Sequence, residues 1–169
     1  IVELAVAKAE SLTVGPADSG ADLGPVISAA QRDRVRGYIQ QGIDSGATLA
    51  TGGPEAPDGL DTGYFVQPTI FTDVKPDARI LREEIFGPVV CTIPFKDVDE
   101  VAKAGNDTNY GIAAAVWTSD INKAHRLAET LKAGTVWINC YNVFDAAAPF
   151  GGYKQSGFGR EMGKAALEM

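Results

Sequence analysis

The sequence has few cysteines, few histidines and no long apolar run. Its 169 residues include two Cys and one His, too few to supply the ligands of a structural zinc site. Cys91 and Cys140 lie outside any Cys-x-x-Cys spacing, so neither a metal site nor a disulfide framework is expected. No apolar stretch approaches the roughly 20 residues that span a bilayer, and we therefore predict no metal and no membrane partner.

Basic residues are also in the minority. Fifteen Lys and Arg against twenty-two Asp and Glu give a formal net charge of −7, which repels phosphate backbones and disfavours nucleic-acid binding. The sparse cysteines suit a reducing compartment, and we predict a cytoplasmic protein. The chain has no initiator Met and begins inside a helical pattern. We expect a truncated or processed protein whose targeting signals could have been lost.

From residue 89 onward, strand-like and helical segments alternate. Apolar runs at 89–93, 113–117 and 135–139 predict strands, the first of them buried on both faces. Asp97 and Asp120 precede the two helices between them. Short joints between such elements predict parallel pairing with right-handed crossovers. We predict an α/β fold with an open, mainly parallel sheet and flanking helices, forming a single partial domain over 1–169.

Upstream, the segment 28–31 (SAAQ) resembles a capping box that opens a helix. The apolar face of this helix comprises Val35, Tyr38, Ile39 and Ile43. Short strands are predicted at 47–50 and 69–72, and a last helix is predicted from about Arg160.

The segment 83–89 (EEIFGPV) carries the strongest chemical signal. A Gly-Pro turn before a strand places the preceding side chains at a sheet edge. There, the Glu84 carboxylate can accept hydrogen bonds from a sugar diol, and the Phe86 ring can pack on a flat heterocycle. The alternative is a solvated acid beside a core phenylalanine.

Five blocks occur in a fixed order along the chain. They are 64–69 (YFVQPT), 83–89 (EEIFGPV), 109–114 (NYGIAA), 134–141 (GTVWINCY) and 149–157 (PFGGYKQSG). Together they resemble the C-terminal part of the NAD(P)-dependent aldehyde dehydrogenases over nearly the whole chain. The resemblance implies oxidation of an aldehyde to a carboxylic acid with NAD or NADP, through a thiohemiacetal on a cysteine. That cysteine is expected upstream, so no catalytic residue is assigned here and the isolated chain is predicted to be inactive.

The resemblance also assigns cofactor contacts. The residues matching Glu84 and Phe86 contact the nicotinamide ribose end, and those matching Gln31 and Arg34 contact the adenosine ribose. Gln31 has a structural alternative, because it is also the fourth residue of the capping box.

The resemblance also implies three residues that line the family's aldehyde tunnel: Asn142, Phe144 and Phe150. The alternative is that they belong to a folded surface loop without this role. Cys140 follows a predicted buried strand and is rejected as the nucleophile. With Cys91 it is predicted to be a core or pocket-wall thiol.

The glycines of 157–163 (GFGREMG) have the wrong spacing for a dinucleotide-binding fingerprint and predict a loop-to-helix turn. The resemblance implies a homodimeric or homotetrameric parent. Two other hypotheses remain open: a catalytically dead interaction or assembly module, and a semialdehyde or CoA-acylating relative with the same fold. The choice of aldehyde, and of NAD or NADP, does not follow from these residues.

Overall fold

The computed structural model of the protein describes residues 1–168. Their contacts divide into two compact units, Ile1–Pro94 and a second that begins at Phe95. The single partial domain over 1–169 stays a prediction. In the described part of the chain, no helix is both long and apolar enough to cross a membrane.

The first unit contains helices and strands that alternate irregularly. Its elements are α1 (Val2–Ser11), α2 (Ala29–Asp44), β1 (Thr48–Thr51), β2 (Thr69–Thr72), α3 (Arg79–Arg82) and β3 (Val89–Cys91). The central strand β2 pairs antiparallel with β1 and parallel with β3. The predicted strand at 69–72 is therefore confirmed, and the one at 47–50 begins one residue later.

The core of the first unit lies between α2 and the sheet. Val35 and Ile39 of α2 and Phe71 of β2 are fully buried, and Tyr38 is 4 % exposed. Burying an apolar side chain of this size contributes about 1.5–3 kcal/mol, so these contacts fix α2 against the sheet. The predicted apolar face is confirmed for Val35, Tyr38 and Ile39, and Ile43 is half-buried.

Strand β3 differs from the prediction of a strand buried on both faces. It is shorter than 89–93, and it lies at the edge of the described sheet with β2 as its partner. Val90 is 53 % exposed, and Ile93, beyond the end of β3, is 43 % exposed. The apolar run was read correctly as a strand, but one of its faces is not covered within the described residues.

The second unit contains the predicted strand–helix–strand repeat in smaller sheets. Its elements are α4 (Val98–Asn106), β4 (Tyr110–Gly111), β5 (Ala113–Val116), α5 (Ile121–Thr130), β6 (Thr135–Ile138), β7 (Tyr153–Lys154) and a 3-10 helix (Lys164–Leu167). Strands β5 and β6 are parallel on either side of α5 in the chain, whereas β4 and β7 form an antiparallel pair that was not predicted.

Side chains cap the two longer helices of this unit as predicted. Asp97 accepts a hydrogen bond from the Glu100 amide at 2.8 Å. Asp120 accepts bonds from the Asn122 and Lys123 amides at 2.9 and 3.2 Å. Each satisfies amides that a helix N-terminus leaves without an intrahelical partner.

The α/β class is confirmed. Within residues 1–168 the strands form three small sheets, and two of the four pairings are parallel. The strand at Val89 takes β2 as its partner, through the register Thr69↔Val89. A run of alternating elements predicts parallel pairing but not which strands become neighbours.

The helix predicted from about Arg160 is also wrong. Glu161 forms an antiparallel bridge with Phe150, with both backbone bonds at 2.7 Å. Gly163 then adopts φ 57°, and only the 3-10 helix follows. A residue committed to a strand-like bridge cannot take part in a helical turn, so helical structure begins only at Lys164.

Candidate active site

Loop 83–88 connects α3 to β3 and presents the exposed side chains of Glu84 and Phe86. Glu84 is exposed, and its carboxylate has no hydrogen-bonding partner among residues 1–168. Phe86 is 71 % exposed, so it is not the core phenylalanine of the alternative interpretation. Its backbone has φ +60°, a conformation that a non-glycine residue keeps only when its surroundings impose it.

Gln31 of α2 contacts this unusual backbone directly. Its Nε2 donates to the carbonyl oxygens of Phe86 at 2.9 Å and Ile85 at 3.2 Å. The Gln31 amide donates to Ser28 Oγ at 3.2 Å, so the N-cap of α2 is confirmed. The Gln31 side chain, however, turns to loop 83–88 instead of completing the capping box.

Arg34, one turn further along α2, binds the same loop. Its Nη2 donates to the Glu84 carbonyl at 2.9 Å. The Arg34 guanidinium also lies 5.5 Å from the centre of the Tyr38 ring, a distance at which a cation is attracted to the ring face. The main chain of Glu84 is thus held while its side chain is left exposed.

Glu83, at the start of the loop, is held through its carboxylate. Tyr38 Oη donates to Glu83 Oε2 at 2.6 Å, and Arg79 Nε donates to Oε1 at 2.7 Å. The Arg79 hydrogen bond, followed by that from Tyr38, lowers the pKa of the Glu83 carboxyl to about 2. The two neighbouring glutamates therefore differ in role, since Glu83 anchors the loop and Glu84 faces solvent.

Gly87 completes the contact between loop 83–88 and α2. A Cβ atom on this glycine would lie 2.6 Å from Val35 Cγ2 and 2.7 Å from Val35 Cγ1. Such distances are well below the roughly 3.5–4.0 Å of normal carbon contacts. The loop backbone can approach the helix this closely only because the position lacks a side chain.

In the second unit, aromatic rings collect after the end of β6. Trp137 makes edge contacts with Tyr141 and Phe144 at centroid distances of 4.9 and 5.5 Å, and Phe144 meets Phe150 at 5.0 Å. Trp137 Nε1 donates to the Val143 carbonyl at 2.8 Å. The segment after β6 is therefore a structured loop fixed around a buried tryptophan.

Asn142 belongs to this loop and is exposed, with φ +56°. Phe144 is 47 % exposed and Phe150 is half-buried. The structure thus brings two of the three predicted pocket residues, Phe144 and Phe150, into contact and places Asn142 two residues before Phe144. In the first unit it brings Gln31 and Arg34 to the backbone of the loop that carries Glu84 and Phe86.

The glycine-rich segment 149–159 and its neighbour Gly134 allow close contacts between backbones. A Cβ atom on Gly134 would overlap the carbonyl oxygen of Gly151, and one on Gly151 would overlap that of Gly159. Arg160 Nη1 donates to the carbonyls of Gly152 at 2.7 Å and Gly159 at 2.9 Å. These glycines allow backbones to pass close together.

Both cysteines are half-buried free thiols. Burial raises the pKa of the Cys91 thiol, and its Sγ lies 3.7 Å from the Ile80 carbonyl oxygen. Cys140 follows β6 beside the aromatic cluster, while His125 is exposed on α5. The absence of a nucleophile from this chain stays a prediction.

The sequence of the chain matches a known family throughout. A sequence model described as "Aldehyde dehydrogenase family" matches residues 1–169. The chain belongs to this family. The resemblance carried by the five ordered blocks is thereby confirmed.

Individual aldehyde dehydrogenases are similar to this chain in sequence and in structure. A betaine aldehyde dehydrogenase of Brucella anthropi is 52 % identical over 169 residues, covering 98 % of this chain and 34 % of the relative. A mitochondrial aldehyde dehydrogenase of Equus caballus is 51 % identical over 168 residues, or 99 % of this chain and 33 % of the relative. The NAD+ complex of an aldehyde dehydrogenase from Bacillus cereus superposes with a TM-score of 0.93 at 50 % identity, over 99 % of this chain and 34 % of that one. The chain spans about a third of the length of these relatives.

Some contacts of loop 83–88 were not predicted from the sequence. Tyr38 was assigned only to the apolar face of α2, although its hydroxyl binds Glu83. The available signal was the spacing of Gln31, Arg34 and Tyr38 at three and four residues, which places them on one side of a helix. Nothing local in the sequence indicates that this side faces a segment about fifty residues away.

Proposed function

We propose that this chain is the C-terminal part of the catalytic domain of an NAD(P)+-dependent aldehyde dehydrogenase, which oxidises an aldehyde to a carboxylic acid. The proposal depends on the conformation of loop 83–88. Its backbone is bound by α2 while the Glu84 carboxylate and the Phe86 ring are exposed. Family membership supports the reaction, and the loop supports a specific role for this segment within it.

The exposed groups fit the nicotinamide ribose end of the cofactor. An ionised carboxylate accepts hydrogen bonds and does not donate them, which suits the two hydroxyl donors of a ribose. An aromatic ring face suits a flat heterocycle. Because the loop carbonyls are bound to Gln31 and Arg34, Glu84 and Phe86 start from a defined backbone, which reduces the ordering needed when the cofactor binds.

When bound, NAD(P)+ supplies the hydride acceptor. Glu84 would orient the ribose and Phe86 would limit the movement of the heterocycle, so that this chain contributes positioning rather than bond-making chemistry. The adenosine-ribose contacts of Gln31 and Arg34 stay predictions. The choice between NAD and NADP is left open.

The aromatic loop after β6 is proposed to form one wall of the aldehyde pocket, through Asn142, Phe144 and Phe150. Phe144 and Phe150 present apolar ring surface, which suits an uncharged aldehyde and excludes water from the reacting carbon. The edge contact of Phe144 on Trp137 supports this wall, because it holds the ring in a fixed orientation.

The nucleophilic cysteine is proposed to come from another segment of the protein, and the reaction to pass through a thiohemiacetal on that residue. Cys91 does not suit the role, because burial raises the pKa of its thiol and a nucleophilic cysteine requires the thiolate. We propose that the isolated chain is inactive. The complete protein is proposed to be a cytoplasmic homodimer or homotetramer.

The test compares the full-length protein with the isolated chain. Each is mixed with a series of aldehydes and NAD+ or NADP+, and the formation of reduced cofactor and of carboxylic acid is followed. We expect stoichiometric acid and reduced cofactor from the full-length protein and neither from the isolated chain. A full-length protein without dehydrogenase activity towards any aldehyde would reject the proposal and favour the interaction module.

A further inference from the structure

One side of α2 contacts every residue of loop 83–88 up to Gly87. The contacts run in order: Tyr38 to the Glu83 carboxylate, Arg34 to the Glu84 carbonyl, Gln31 to the Ile85 and Phe86 carbonyls, and Val35 against Gly87. Three of these contacts are hydrogen bonds to main-chain carbonyls, and only the contact of Tyr38 is made to a side chain. The helix therefore determines the shape of the loop without using the exposed side chains of Glu84 and Phe86.

Gln31 has the central position in this set. It binds two successive carbonyls, and these flank the residue whose φ of +60° requires external support. Both hydrogen bonds that Gln31 Nε2 makes to the described residues go to loop 83–88. The Gln31 side chain is thereby tied to the backbone of this loop.

We propose that Gln31 is a positioning residue that acts on the nicotinamide end of the cofactor through loop 83–88. The inference rests on the proposed function, because it concerns the loop that carries Glu84 and Phe86. Loss of the two bonds would free the Ile85–Phe86 peptide to rotate away from φ +60°. The Phe86 ring and the Glu84 carboxylate would then be displaced together, although neither is altered.

The test uses Gln31→Met in the full-length protein, which keeps the length of the side chain and removes both donors. Gln40→Met is the matched control. It lies on the same helix, and within residues 1–168 its Nε2 donates only to the exposed Asp44, at 2.9 Å. Gln31→Glu is a second variant of similar size in which an acceptor faces the two carbonyls, and it should have the larger effect.

The first measurement is hydrogen–deuterium exchange followed by mass spectrometry. The Val89 amide donates to the Gly87 carbonyl at 2.8 Å, and the Thr69 amide donates to the Pro88 carbonyl at 2.9 Å. Both amides should exchange faster in Gln31→Met than in the wild type, and not in Gln40→Met. Unchanged exchange in both Gln31 variants would overturn the proposal, whatever their activity.

The second measurement separates the two ends of the cofactor. Gln31→Met should slow hydride transfer by about tenfold or more in single-turnover kinetics, because small misplacements of reacting groups are costly in rate. Binding of 5′-AMP, which contains only the adenosine end, should be unchanged by calorimetry. Weaker binding of 5′-AMP would overturn the proposal in favour of an adenosine-ribose contact.

Failure of the proposed function and failure of the positioning role give different results. A wild-type protein that oxidises no aldehyde rejects the proposed function, while hydrogen exchange still tests whether Gln31 holds the loop. An active wild type whose Gln31→Met variant transfers hydride at the normal rate rejects the positioning role alone.

Discussion

Replacing Gly87 by alanine tests the closest approach between α2 and loop 83–88. The added Cβ would lie 2.6 and 2.7 Å from the two γ-methyl carbons of Val35, about 1 Å inside normal carbon contact. Val35 is fully buried and β-branched, so its side chain has little freedom to move away. Gly87 does not have a positive φ, and the penalty is therefore steric. We expect Gly87→Ala to destabilise the protein by about 1–3 kcal/mol, as is typical of overpacked cores.

The assay is urea denaturation, with a control and a compensating variant. Gly37→Ala is the control, because a Cβ at this helical position meets no atom within 4 Å, and it should be neutral or stabilising by up to about 1 kcal/mol. Val35→Ala removes the two obstructing methyl groups and by itself leaves a cavity. The double variant should be more stable than the sum of the single changes predicts, by at least about 1 kcal/mol. Additive effects, or a Gly87→Ala variant as stable as the wild type, would refute the close contact.

Three further predictions concern the anchors of the loop, its functional carboxylate and the glycine-rich segment. Glu84→Gln in the full-length protein should slow hydride transfer by about tenfold or more while changing cofactor binding much less; equal losses in single-turnover and binding measurements would contradict the positioning role. Tyr38→Phe removes one of the two bonds to Glu83, so the pKa of the Glu83 carboxyl should rise from about 2 towards its usual 4.5. Because the folded-state pKa of Glu83 is lowered, the contribution of this carboxyl to stability is complete above pH 4.5 and is lost as the pH falls towards 2. In the variant, NMR titration should give a higher pKa for the Glu83 carboxyl. Acid unfolding should show a smaller loss of stability over the same pH range. Gly134→Ala, whose Cβ would overlap the Gly151 carbonyl oxygen, should destabilise the protein by more than about 3 kcal/mol, and a melting temperature equal to that of the wild type would contradict the backbone contact.

Local signals predicted most of the helix starts and strand positions. Ser28, Asp97 and Asp120 were predicted to begin helices, and each accepts a hydrogen bond from an amide in the first turn. Such caps depend on residues within three positions of one another, and so they can be read from a short window of sequence. The pairing of β4 with β7 was missed, because two-residue strands about forty residues apart leave no periodic pattern.

The sequence identified candidate side chains for the site but not the contacts that hold them in place. Glu84, Phe86 and Gln31 were identified as candidates, and the structure brings them to one loop and the adjacent side of α2. The bonds of Gln31 to Ile85 and Phe86 join residues more than fifty positions apart. They are made to carbonyl oxygens, which every residue possesses, and no choice of side chain in the loop could have indicated them. The exposure of Val90 in β3 was missed for a related reason, since the cover over a strand depends on the elements that pack on it and not on its own apolar composition.

The separation of main-chain and side-chain roles in loop 83–88 has a consequence for redesign. The loop is held through its carbonyls, its first carboxylate and a glycine, while the side chains of Glu84 and Phe86 make no contribution to that hold. Residues 84 and 86 can therefore be exchanged as an independent cassette on a fixed backbone. A library that varies only these two positions would alter the chemistry presented to a ligand. At position 86 it should omit β-branched residues, which disfavour the positive φ of this position.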